Sequence, residues 1–129
     1  MVLDTSALVA ILRAEPEGAA FHALISAASL RRPSAPTVVE AFICMLSRFG
    51  KEGLDALNAL LLAFAIDIVP LTETHRHTAA DGFWRYGKGR NPAALNFGDC
   101  FSYALAKTTG LPLLLKGQNF SQTDLIIAA

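Results

Sequence analysis

Three carboxylates are set apart by what surrounds them. Asp4 stands between Val2-Leu3 and Ala7-Leu8, Glu40 between Val38-Val39 and Ala41-Phe42, and Asp99 between Phe97 and Phe101. Burying an unpaired carboxylate is costly, and three gathered at one place would also repel one another. A divalent cation answers both difficulties, and an all-oxygen donor set suits Mg²⁺ or Mn²⁺. Such a site activates water and neutralises charge on a phosphodiester, so the pattern points to metal-dependent phosphoryl chemistry. Each acid also has a plainer use. Thr37-Val38-Val39-Glu40 has capping-box spacing with Thr37 as the cap, and Asn96-Phe97-Gly98-Asp99 repeats it. The helix dipole alone favours a carboxylate in a first turn by ~0.3–1 kcal/mol. The argument for chemistry therefore rests on the set and not on any single member.

The elements that must position these acids can be read from the hydrophobic pattern. Val2–Asp4 reads as a very short strand, with Thr5-Ser6 capping a helix that ends before Pro16. A second helix follows over residues 15–29, then an extended link over Arg31–Pro36. Thr37 opens a third helix stopped by Gly50, and Lys51–Ala65 forms a fourth, with Leu54, Leu57, Leu61 and Phe64 on one stripe. That stripe is either core or the surface for a partner. Ile66–Leu71 reads as a strand, Thr72–Gly87 as a helix, Lys88–Phe97 as a loop and Gly98–Thr109 as a helix ended by Gly110. Leu111–Leu115 is a buried strand, and Leu125–Ala128 is a further one. Alternating strands and helices imply an α/β domain with a mostly parallel central sheet. In such sheets ligands bind beyond the carboxyl ends of the strands. Asp4 sits there directly, and Asn119 and Asp124 follow the strand Leu111–Leu115.

The bulk properties narrow the classes. A chain of 129 residues makes one domain, residues 1–129. Mean hydropathy is high, +0.40, yet the longest apolar run, Ala59–Ile66, is far short of the ~18 residues a membrane span needs. The opening MVLDTSALVA lacks a basic leader and carries an acid at position 4, which points to the cytoplasm. Eleven basic and 11 acidic residues give a formal net charge of zero, so any nucleic-acid contact must come from a local patch. Cys44 and Cys100 lack metal-ligand spacing and read as buried thiols.

Four stretches carry a family resemblance: VLDTSALVAILRAEPE, APTVVEA, GKGRNPAALNFGDCFSYALA and LPLLLKGQNFSQTDL. Together, in order and across essentially the whole chain, they resemble a PIN-domain ribonuclease, in particular the VapC-type toxins of bacterial toxin–antitoxin pairs. The resemblance implies a central, mostly parallel β-sheet flanked by helices on both faces. It implies endoribonuclease cleavage dependent on Mg²⁺ or Mn²⁺, with RNA as substrate and water activated at the acidic cluster. It implies a cognate antitoxin that inserts into the active-site groove, and a homodimer. Carried over by position, the catalytic and metal-binding acids are Asp4, Glu40 and Asp99, and Thr5 or Ser6 is a supporting hydroxyl.

One departure falls near the end. Relatives often carry an acid where this chain has Asn119, whose amide brings no charge; Asp124 is the nearest acid downstream and either supports the site or caps a turn. Three carboxylates suffice for one metal. The mixed run Trp84–Arg90 suggests RNA contact through Lys88 and Arg90 on phosphates, with stacking by Tyr86, or else a solvated helix end with Trp84 in the core. Lys116 could meet a phosphate or an antitoxin carboxylate. Two alternatives stay open: a receiver-like signalling domain with Lys116 as its strand-end lysine, and a catalytically impaired PIN-like module that only binds RNA, motivated by Asn119.

Overall fold

The computed structural model describes residues 1–128. Its centre is a pair of two-residue parallel strands, β1 (Val2–Leu3) and β2 (Leu113–Leu114), with Val2 opposite Leu113 and Leu3 opposite Leu114. All four side chains are fully buried. Because side chains alternate along a strand, the pair feeds two separate cores. Leu3 and Leu114 pack with Ala7, Leu8, Phe21, Ile25, Ala41 and Leu57. Val2 and Leu113 pack on the opposite face with Leu95, Tyr103, Leu105 and Phe120. The sheet is thus covered by helices on both faces, as an α/β domain with a parallel sheet requires.

The helices are α1 (Thr5–Leu12), α2 (Gly18–Ala27), α3 (Ala35–Ala63), α4 (Glu73–Tyr86) and α5 (Phe97–Thr109). α1 and α2 lie with α3 on the Leu3 face, and α5 lies against both β1 and α4. The two helices expected over Thr37–Gly50 and Lys51–Ala65 are the halves of α3. They meet at Gly50, whose φ of 60° and ψ of −145° break the helix without any intervening loop. A left-handed φ is accessible there because glycine has no Cβ. The Leu57 stripe is core: Leu57 is fully buried and Leu60 nearly so, with Leu61 and Phe64 packed against the same cluster.

The outer strands are shorter than the apolar pattern suggests. Beside the central pair stand single parallel bridges, Val2 with Arg32, Ser34 with Val69, and Leu113 with Ile127. The strands expected over Ile66–Leu71 and Leu125–Ala128 reduce to one such bridge each. Val69 donates to the Pro33 carbonyl and Ala35 to the Val69 carbonyl. Asp67 also donates to the Arg31 carbonyl, but Pro33 has no backbone N–H to return to the Asp67 carbonyl, so the ladder is interrupted there. Among the described residues no helix is long and apolar enough to cross a membrane.

Candidate active site

Asp4 leaves the carboxyl end of β1 and caps α1 itself, in place of the expected Thr5-Ser6 cap: its Oδ2 accepts from the Ser6 N–H at 3.0 Å and from Ser6 Oγ at 2.6 Å. Its Oδ1 accepts from Ser102 Oγ at 2.6 Å, reaching across from α5. Three donors replace the water lost when this carboxylate is buried. Ser6 Oγ in turn accepts from the Lys116 N–H at 2.9 Å, which ties the end of β2 to the same point.

Glu40 is not the partner of a Thr37 cap. α3 starts earlier, with Ser34 before it and Pro36 in its first turn, where a missing N–H costs nothing. Thr37 is therefore inside the helix and buried, 3.4 Å from Ser102 Oγ. The Glu40 carboxylate is free to reach Thr5, whose Oγ1 donates to Glu40 Oε1 at 2.5 Å. It also lies directly over Gly98 at the start of α5. A Cβ at Gly98 would overlap the Glu40 carboxylate, so only glycine allows this approach.

Asp99 does fill its capping box with Asn96: Asp99 Oδ2 accepts from the Asn96 N–H at 3.0 Å, and Asn96 Oδ1 accepts from the Asp99 N–H at 2.9 Å. Capping and clustering coexist in this residue. Desolvation, aided by the charges of Asp4 and Glu40, pushes the Asp99 carboxyl up to about 6, against the pull of hydrogen bonds from the Asn96 backbone and the Asn119 side chain. The three acids thus share one electrostatic field. None of them is in a salt bridge with Lys, Arg or His among the described residues, whose ion pairs lie elsewhere. As they stand, no three His, Cys, Asp or Glu of the described residues are drawn close enough to hold a metal ion. The donor set is nonetheless all oxygen, anionic and unneutralised by protein cations, which fits a hard divalent ion closing the site on binding.

The remaining candidates separate cleanly. Asn119 opens a single 3₁₀ turn, Asn119–Gln122, pinned by the buried Phe120 beside it. Asp124 lies elsewhere: it accepts from Tyr103 Oη at 3.0 Å and from Lys107 Nζ at 2.7 Å, clasping the C-terminal segment onto α5. Lys116 Nζ is held by Glu15 at 2.6 Å and Glu17 at 2.8 Å. Tyr86 is half-buried with its ring 5.8 Å from that of Tyr103, so it is not a free stacking surface. Trp84, by contrast, is 68% exposed instead of in the core. The Arg90 guanidinium lies 4.1 Å from its ring centroid, and Arg90 Nε donates to the Trp84 carbonyl at 3.0 Å. Lys88 is exposed. Beside Glu40 and Gly98 opens an apolar groove of about 620 Å³ lined by Val39, Ile43, Leu71, Phe97 and Phe101. A second groove, of about 580 Å³, continues across Phe97 and Phe101 to Phe83 and Ala80.

Residues 1–126 match the PIN domain. The chain is also 43% identical over 129 residues to the protein named Ribonuclease VapC30 of Mycobacterium tuberculosis, covering 100% of this chain and 98% of that one. This chain is a VapC-type PIN domain. Solved structures agree on the fold. Mycobacterium tuberculosis VapC20, titled a sarcin–ricin loop cleaving toxin, superposes with a TM-score of 0.79 at 19% identity, covering 97% of this chain and 95% of that one. VapBC2 of Rickettsia felis, solved on a DNA fragment of its promoter, gives 0.77 at 12% identity, covering 98% and 94%. A receiver-like reading of this PIN domain is thereby displaced, and its proposed strand-end lysine, Lys116, is paired with Glu15 and Glu17.

Ser102 and Gly98 are the two contributors that residue type and spacing did not single out. Ser102 has a readable signal in retrospect: it is a hydroxyl one turn after Asp99, inside the otherwise apolar FSYALA face of α5.

Proposed function

We propose that this chain is a Mg²⁺- or Mn²⁺-dependent endoribonuclease, acting in the cytoplasm as the toxin of a toxin–antitoxin pair. The observation that carries the reading is the meeting of the three acids at the start of α5: Ser102 bonds Asp4, the Glu40 carboxylate lies over Gly98 beside Asp99, and among the described residues none of the three is ion-paired with a protein cation. The VapC relatives named ribonucleases supply the substrate class. The three carboxylates would hold the ion, which when bound polarises water and offsets charge on the phosphodiester. Thr5 and Ser6 orient Glu40 and Asp4 by the hydrogen bonds given above. Asn119, whose side-chain amide favours the charged form of Asp99, supports that carboxylate without adding charge. One of the carboxylates takes the proton of the attacking water.

RNA contact falls to Lys88, Arg90 and the exposed Trp84, a cation and a stacking face side by side. Lys116 reaches RNA only by leaving Glu15 and Glu17. The grooves that meet at Phe97 and Phe101 leave apolar side chains uncovered, as interaction surfaces do. They support both an antitoxin segment and a second copy of the chain in a homodimer as occupants. The test is cleavage of RNA in Mn²⁺ by wild type, Asp4→Asn and Asp99→Asn, alongside growth inhibition on expression. Both activities are expected to vanish in the two variants while circular dichroism is unchanged. Full cleavage by either folded variant would sink the assignment.

A second reading, a catalytically impaired module that binds RNA, is favoured by Asn119 and by the open arrangement of the acids. It wins if wild type and Asn119→Asp are both inert in Mn²⁺ while RNA still binds.

A further inference from the structure

We infer that Ser102 is a positioning residue, which sets Asp4 against Asp99 and so controls how tightly the carboxylate site holds a divalent cation. This rests on the metal-dependent reading above.

Ser102 follows Asp99 by three residues on α5, so the two side chains share a face one turn apart. One helix therefore supplies an acid of the site and the prop for an acid on β1. The Ser102 hydroxyl is wholly buried, between Phe101 and Tyr103 in sequence. A serine or threonine inside a helix can return its proton to the carbonyl four residues back. Thr108 and Thr109 of α5 do this, donating to the Ala104 and Leu105 carbonyls at 2.8 and 2.6 Å. Ser102 instead donates across the fold to Asp4 Oδ1 at 2.6 Å. The opposite oxygen of the same carboxylate is fixed by Ser6. With both oxygens bonded, the carboxylate is held about its last torsion, and α1 and α5 set its orientation together.

Thr37 Oγ1, 3.4 Å from Ser102 Oγ, extends the contact to α3, which carries Glu40. The Thr37 carbonyl oxygen lies 3.1 Å from Thr5 Oγ1, which bonds Glu40. Asp4 directly, and Glu40 through Thr5 and Thr37, are thus joined to Ser102 on α5, the helix that carries Asp99. Groups that orient ligands in this way typically contribute about 10- to 100-fold to metal affinity.

The test is Mn²⁺ binding to the full chain by titration calorimetry, with RNA cleavage measured from limiting to saturating Mn²⁺. Ser102→Ala is expected to bind Mn²⁺ about 10-fold more weakly. Its cleavage should fall at limiting Mn²⁺ and recover at saturation, a dependence that a merely structural role would not produce. Wild-type Mn²⁺ affinity in folded Ser102→Ala overturns the inference, as does a cleavage loss that saturating Mn²⁺ does not recover. If Ser102→Ala does not fold, Ser102→Cys keeps the volume with a weaker donor; it is expected to bind Mn²⁺ measurably more weakly than wild type, and unchanged affinity overturns the inference. Asp4→Asn separates the two levels. Retention of Mn²⁺ binding by Asp4→Asn defeats the metal-site reading itself, whereas its loss together with normal binding by Ser102→Ala defeats only the role of Ser102.

Discussion

α5 joins two carboxylate regions that obey opposite rules. Near its start, Asp99 stands with Asp4 and Glu40, held by hydroxyl and N–H donors and, among the described residues, by no cation. Near its end, Asp124 is bonded to Tyr103 and ion-paired with Lys107. Glu15 and Glu17 follow the second rule through Lys116. Acids that hold a fold together are neutralised by the fold; acids left with neutral donors alone keep their charge for something that arrives later. The contrast separates Asp124 from the candidate site although Asp124 lies close to Asn119 in sequence.

The contrast breaks most visibly by exchanging the consequences. Glu40→Gln should lower RNA cleavage by roughly 100-fold or more, since ion-borne charge stabilisation is worth several kcal/mol. Its melting temperature should stay near that of wild type. Equal cleavage by wild type and Glu40→Gln would place Glu40 among the structural acids. Gly98→Ala should follow with about a 10-fold loss, because the new methyl displaces the Glu40 carboxylate; a crystal structure with Glu40 unmoved would refute the steric argument. Asp124→Asn should do the reverse of Glu40→Gln. It removes a partly exposed ion pair and weakens a hydrogen bond, costing roughly 1 kcal/mol of stability in urea unfolding, with cleavage unchanged.

A further expected effect is on pH. The folded state binds the Asp99 proton more tightly than the unfolded chain does, since burial raises that carboxyl from 3.8 to about 6. Stability of the metal-free protein therefore falls as pH rises between these values, and the loss is complete above about 6. Asp99→Asn in a chelator should remove this slope, gaining on wild type at pH 7 but not at pH 4 in thermal melts. Parallel curves for the two proteins would contradict the linkage.

The three acids were legible because apolar neighbours around a carboxylate signal burial, and because strand ends are where such a fold gathers ligands. The helices were legible from their periodicity, down to the break at Gly50. Strand lengths were not: an apolar run shows that a segment is buried, while the ladder beside it is interrupted where Pro33 withholds an N–H. The capping pattern misled at Thr37, because Pro36 had already opened the helix, and it was correct at Asn96. Of the two readings of Trp84–Arg90, neither placed its aromatic residue: Trp84 is exposed and Tyr86 is half-buried. Two residues on one helix differ by about 200° in direction, and nothing in the run Trp84–Arg90 says which of them meets the core. Ser102 escaped notice because its partner is 98 residues away.

The central claim is that the unneutralised acids make this chain a divalent-ion-dependent ribonuclease. Incubation of the purified chain with single-stranded RNA, in Mn²⁺ and in excess chelator, tests it most directly. The account predicts cleavage in Mn²⁺ and intact RNA in chelator. Equal cleavage in both, or intact RNA in Mn²⁺ while calorimetry shows the ion bound, would contradict it.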